Sequence, residues 1–236
     1  IAGILSLALY GCSGDNPMDV AGSENGSSLD KAGFGNGENA DTYEIIVENL
    51  TPATGDGASQ PFSPPILASH KGDFNLYQAG SPASDELAQV AEDAVSGPLV
   101  DMLHASSRVQ AVAMGGGVIL PGGDMRLELE TRPGSRNLSL VFMLVNTNDA
   151  FGGLDGVRLP ATGEATYMVM AYDAGSELNT ELATDIPGPC CGSPGAGTDE
   201  YEVVRYHEGI AGAGDLDAAI YGWEGAVAKV TVRKID

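Results

Sequence analysis

Two short apolar runs, Leu138–Val145 and Ala165–Ala171, each break off into carboxylates, amides and glycines, and this limits what the chain can fold into. Both are too short for a core helix and rich in Val, Met and aromatic residues, so each is expected to be a buried strand. Asn146-Thr147-Asn148-Asp149 follows the first run, with Gly152, Gly153 and Asp155 beyond it in an expected loop. Asp173-Ala174-Gly175-Ser176-Glu177 follows the second. If both loops lie at one end of a β-sandwich, Asp149, Asp173 and Glu177 converge, with Asn148 and Asp155 as weaker candidates. Three carboxylates in a small space repel one another unless a hard cation neutralises them, and loops of Asp, Asn, Glu and carbonyl oxygens between glycines suit calcium. The same residues also suit turns in which Asn and Asp bond their own backbone. From the residues alone the two readings stand side by side.

The remaining patterning favours strands. Thr42–Leu50 sets Tyr43, Ile45 and Val47 against Glu44, Ile46 and Glu48, and Met125–Thr131 alternates Met125, Leu127 and Leu129 with Arg126, Glu128 and Glu130. Phe62–His70 is apolar and begins at prolines, as a strand at a sheet edge does. Val109–Met114 and Val118–Leu120 flank Gly115-Gly116-Gly117, which lacks the Lys and Ser/Thr of a phosphate-binding loop and is expected to be a turn. Val203–His207 and Ala226–Ile235 supply further strands. Helical signals are few. Ser84 precedes Asp85-Glu86 and the spaced apolar residues Leu87, Val90 and Ala91, which predicts an N-capped amphipathic helix, and Leu99–Leu103 predicts a shorter one. His70, His104 and His207 each stand alone and are expected to be structural.

Several of these stretches occur in an order that resembles the spondin N-terminal domain family, found in F-spondin, mindin and bacterial surface proteins. They are Phe62-Ser63-Pro64-Pro65-Ile66-Leu67-Ala68-Ser69-His70, the Ala83–Ala91 helix, Asn148-Asp149-Ala150-Phe151, Asp173-Ala174-Gly175-Ser176-Glu177 and the closing Gly225–Arg233 strand. The resemblance implies an all-β, C2-like antiparallel sandwich over residues 42–236 with a calcium ion held by loop carboxylates. Carried across position by position, the metal residues fall on Asp149, Asp173 and Glu177, the last standing where the animal family usually has a shorter Asp.

The 236 residues carry 11 Lys and Arg against 33 Asp and Glu, a formal charge of −22. Such a surface repels phosphate backbones and anionic membranes, which excludes nucleic acid as an expected partner and favours cations. Residues 1–12 form an apolar segment in which Leu5, Leu7 and Leu9 share one face if the segment is a strand. Leu9-Tyr10-Gly11-Cys12 also resembles a bacterial lipoprotein processing site, with Cys12 as the lipid carrier and the only expected route to a membrane. Residues 13–41 are a linker rich in Gly, Ser and Asn. Cys190 and Cys191 are adjacent and are expected either to join each other or to have one bridge to Cys12 while the other stays free.

The function expected from these features is that of a non-enzymatic, calcium-binding surface module, extracellular and prokaryotic, acting in adhesion or matrix. Its partners are expected to be further copies of itself, assembled into a fibre through Leu5, Leu7 and Leu9, or a matrix or cell-surface ligand. One alternative is a lipid-anchored monomer, and another is a metal-assisted hydrolase. No nucleophile elbow, H-E-x-x-H or dinucleotide fingerprint supports catalysis.

Overall fold

The structure, a computed structural model, describes residues 40–53, 59–195 and 197–235. Leu5, Leu7, Leu9, Cys12 and the linker up to residue 39 lie outside the described residues.

Alternating side chains build the first of two antiparallel sheets. In β1 (Asp41–Asn49), Tyr43, Ile45 and Val47 are fully buried while Glu44 and Glu48 face outward. β1 lies between β4 (Asp124–Thr131) and β10 (Ala228–Lys234), and β7 (Glu164–Val169) closes the order β4-β1-β10-β7. The outer face carries cross-strand ion pairs, Arg126 and Arg233 both meeting Glu44 and Lys229 meeting Glu48. At exposed positions such pairs favour the register more than they stabilise the fold.

The second sheet runs β3-β2-β5-β6-β8-β9. It consists of β3 (Val109–Met114), β2 (Ile66–His70), β5 (Asn137–Met143), β6 (Ala150–Arg158), β8 (Ala171–Asp173) and β9 (Arg205–Tyr206). β2 and most of β5 are buried on both faces. One face meets the first sheet through Leu67, Leu138, Leu140 and Phe142; the other, through Ile66 and Val141, meets the helices. Those helices are α1 (Asp85–Asp93) and α2 (Gly97–Ala105). As the sequence predicts, the Ser84 hydroxyl accepts from Leu87 N–H at 3.2 Å and caps α1. Ser84→Ala is expected to cost about 1 kcal/mol, read as a lower denaturation midpoint with an unchanged slope.

Three expectations need correction. Gly152 to Asp155 is not loop but the middle of β6. Its glycines disguise a strand because aromatic rings need their space: a Cβ on Gly152 would overlap the Phe142 ring, and one on Gly153 would press on Tyr77. Ala165–Ala171 is not one strand. The chain leaves the first sheet after Val169 and enters the second at Ala171, so the run is divided between β7 and β8. Val118–Leu120 is not a strand either, and only Ile119 pairs, in a bridge to Phe62. The expected Val203–His207 strand shortens to β9, and the expected helical turn at Leu99–Leu103 lengthens to α2.

Candidate functional site

Asp149 closes the tight connection between β5 and β6. Thr147 Oγ1 donates to Leu144 O at 2.6 Å and accepts from Ala150 N–H at 3.1 Å, which fixes the turn that carries Asp149. β6 then pairs with β8 so that Ala150 lies opposite Asp173, setting Asp149 and Asp173 at the same end of the sheet. The chain turns at Gly175, whose φ of +71 favours glycine, and passes back over Asp149.

The Asp149 carboxylate is fully buried and its two oxygens differ. Oδ2 accepts from Ser176 N–H at 2.9 Å, Ser176 Oγ at 3.3 Å and Glu177 N–H at 3.1 Å. Oδ1 is buried with no hydrogen-bond partner. Burial, reinforced by the Asp173 charge, pushes the Asp149 pKa up to about 6 against the pull of those bonds.

Asp173 is better satisfied. Oδ1 accepts from Gly175 N–H at 2.7 Å, and Oδ2 accepts from Asn179 Nδ2 at 2.5 Å and pairs with Arg205 at 3.0 Å. Burial still raises its pKa, opposed by Arg205 and the Asn179 bond. Arg205 also donates to Glu200 at 2.7 Å. His207 Nε2 meets Asn179 Oδ1 at 3.2 Å while its Nδ1 accepts from Gly209 N–H at 3.0 Å, so Nε2 carries the proton. That donation turns the Asn179 amide nitrogen toward Asp173.

Glu177 is 9% exposed. Its carboxylate lies against Gly197, where a Cβ would overlap it. Burial first, then the charges of Glu92, Asp149, Asp93 and Asp185, push its pKa up to about 8. Glu92 and Asp93 stand at the C-terminal end of α1, where the helix dipole already disfavours negative charge and no basic residue occupies the last turn. Negative charge therefore accumulates around Glu177 with no cationic side chain among its perturbing neighbours. The arrangement is looser than a closed ligand shell: among the described residues, no three His, Cys, Asp or Glu side chains are grouped so as to hold a metal ion.

The weaker candidates do other work. Asn148 Nδ2 donates to Asp185 O at 3.3 Å, and its Oδ1 accepts from Glu181 N–H at 3.4 Å, joining two loops. Asp155 lies roughly 20 Å along β6 from Asp149 at about 3.3 Å per residue. There Oδ1 accepts from Leu76 N–H at 2.7 Å and Ser139 Oγ at 2.8 Å. Ser139 in turn meets buried His70 Nε2 at 2.8 Å, and His70 Nδ1 donates to Lys71 O at 2.7 Å. This serine, histidine and aspartate set braces β2, β5, β6 and the Leu76 loop. Ser139 is fully buried, so its hydroxyl is not presented to a substrate. Asp155→Ala is expected to cost about 1 to 3 kcal/mol, because it strips a partner from Leu76 N–H and Ser139 together, and urea unfolding measures it. Cys190 and Cys191 are joined to each other, which decides between the two pairings expected from the sequence. Two further acidic residues, Asp215 and Asp217, are structural: Asp217 caps a short helix, α3 (Ala218–Tyr221), and Asp215 Oδ2 accepts from Ala183 N–H.

Sequence reading missed Ser176, Asn179, Arg205 and the wall of Glu92, Asp93 and Asp185. Ser176 lies within the DAGSE stretch and Asn179 two residues beyond it, so both could have been found there. Arg205 carried no local signal, since only β8–β9 pairing opposes it to Asp173.

Fold and site together define an all-β sandwich module with a buried acidic end. The spondin N-terminal family model matches residues 52–184, more than half of the chain, and the protein belongs to that family. The match contains α1, Asp149, Asp173 and Glu177, while β1, β9 and β10 lie beyond it. No curated protein matches the chain. Spondin N-terminal domains are in general non-enzymatic and typically extracellular. No helix among the described residues is long and apolar enough to cross a membrane.

Proposed function

We propose that this protein is a calcium-stiffened surface module, acting in adhesion or matrix rather than catalysis. The observation that carries the reading is Asp149 Oδ1, a carboxylate oxygen buried without a partner. Such an atom costs free energy unless an ion or water meets it. Asp149 and Glu177 would hold the calcium, with Asp173 at its rim and Arg205 offsetting part of the Asp173 charge. Carbonyl oxygens of the surrounding loops suit the rest of a calcium shell, which needs more ligands than carboxylates alone provide. Bound calcium would supply positive charge that ties the 149 turn to the 173–177 turn and leaves the sandwich end rigid.

Calorimetric titration of the chelator-treated protein tests this. Calcium is expected to bind the wild type and the Asp155→Asn variant alike, and Asp149→Asn at least tenfold more weakly. Equal binding by Asp149→Asn, or none by the wild type, rejects the site. At the N-terminus, Cys12 in its lipoprotein-like setting supports a lipid anchor, while the Leu5, Leu7 and Leu9 face supports strand addition to a second copy. An apolar face of three leucines is worth roughly 5 to 9 kcal/mol when buried. The intact mass of the native protein, set beside its size in solution, separates the two.

A further inference from the structure

We infer that the Cys190–Cys191 disulfide is a thiol–disulfide exchange site whose state controls the cation-binding turn, an inference that rests on the calcium reading above. The pair lies at the tip of a loop whose two legs grip the acidic end of the sandwich. On the leading leg, Asp185 O accepts from Asn148 Nδ2. Gly188 packs so tightly on Val145 O and Asn146 Oδ1 that a Cβ there would overlap both. Cys190 N–H donates to Asn146 Oδ1 at 3.2 Å. On the returning leg, Gly195 N–H donates to Asp93 Oδ1 at 2.9 Å. The tip is closed by Cys191 N–H and Gly192 N–H on Gly188 O, at 2.9 and 2.8 Å, and by Ser193 N–H on Ile186 O at 3.0 Å. Asn146 and Asn148 belong to the same turn as Asp149, so whatever holds this loop holds the orphaned carboxylate oxygen.

Both cysteines are half-buried, packed on their inner side against Ile186, Ile210 and Leu216 and open on the other. A disulfide between adjacent residues encloses a small ring that includes their shared peptide, so it fixes the direction of Cys191 N–H toward Gly188 O, and Gly188 is the residue packed on Val145 and Asn146. A low-molecular-weight thiol is the reactant. Its thiolate attacks one sulfur, the Cys190–Cys191 bond breaks, and the departing cysteine thiolate takes up a proton. A second thiol then attacks the mixed disulfide, so that the cysteines gain two electrons and two protons and the two reactant thiols leave as their own disulfide. The ring is opened, Cys191 N–H is released from its fixed direction toward Gly188 O, and the 146–149 turn loses the clamp that Gly188 and Cys190 N–H make on Asn146.

The test uses the full chain, oxidised or treated with a phosphine reductant, with the state of the 190–191 peptide verified by mass, and calcium as the titrant. Reduction is expected to weaken calcium binding at least threefold and to speed amide hydrogen exchange over Val145–Asp149. The Cys190→Ser/Cys191→Ser protein is expected to show the weaker affinity with or without reductant. Unchanged affinity and exchange on reduction, or a double variant that binds as tightly as the oxidised protein, overturns the inference. Should neither redox form bind calcium, the cation reading fails on its own. Exchange over Val145–Asp149 then decides whether the disulfide loop holds that turn, faster on reduction supporting it and unchanged rejecting it.

Discussion

Stripping calcium from the protein is expected to lower its melting temperature by roughly 5 to 11 °C relative to a solution holding calcium at a hundred times Kd. This follows from a stabilisation of about 2.7 kcal/mol at that excess and about 2 to 4 °C per kcal/mol for a domain of this size. The physical source is the concentration of like charge around Glu177 and the unpartnered oxygen of Asp149, both of which a divalent ion relieves at once. Returning calcium restores the transition, and magnesium at equal concentration restores less, because its small rigid octahedral shell suits an irregular set of carboxylates and carbonyls poorly. Asp149→Asn, at least tenfold weaker in affinity, is expected to keep at most about 1.4 kcal/mol of that stabilisation and so about half the wild-type shift or less. A wild-type transition indifferent to chelator would remove the calcium reading altogether.

The second large effect is a pH dependence that calcium reverses. In the metal-free protein Glu177 titrates near 8 when folded and near 4.5 in its ordinary state, so between those values the folded chain holds more protons than the unfolded one. Stability from such a raised carboxyl group is complete at low pH and lost as pH rises through the folded value, by at most about 1.4 kcal/mol per pH unit for each proton. Asp149, pushed up to about 6, acts in the same direction at lower pH. His207 opposes them: burial holds it near 4, below its ordinary 6.5, so its contribution is lost as pH falls below 6.5. The clear window is therefore pH 6.5 to 8, in which the metal-free melting temperature is expected to fall as pH rises. With saturating calcium the carboxylates must be ionised to bind, and the slope is expected to flatten or invert. Scanning calorimetry across that window, with and without chelator, measures both. A metal-free melting temperature that rises toward pH 8 would contradict the environment described for Glu177.

Much of the molecule is legible in the chain because its signals are local. Tyr43, Ile45 and Val47 fall on one face by strand pleat alone, and Ser84 caps α1 because its hydroxyl needs only the next turn of the same helix. The polar ends of the two apolar runs likewise pick out Asp149, Asp173 and Glu177 before any pairing is known, and the pairing of β6 with β8 then sets Asp149 and Asp173 at the same end of the sheet. Tertiary structure decided the rest. β6 is a strand in spite of its glycines, because Phe142 and Tyr77 from elsewhere in the chain occupy the space their side chains would need. The run from Ala165 to Ala171 is divided between two sheets because β10 claims its first part and β6 its last. Arg205 reaches Asp173 through the pairing of two short strands far apart in sequence, and Asp155 is drawn away to brace Ser139 and Leu76. A periodic pattern specifies which face a residue takes within its own element. Which element lies beside it, and so which charges and rings share its space, depends on long-range pairing that no local window of the sequence contains.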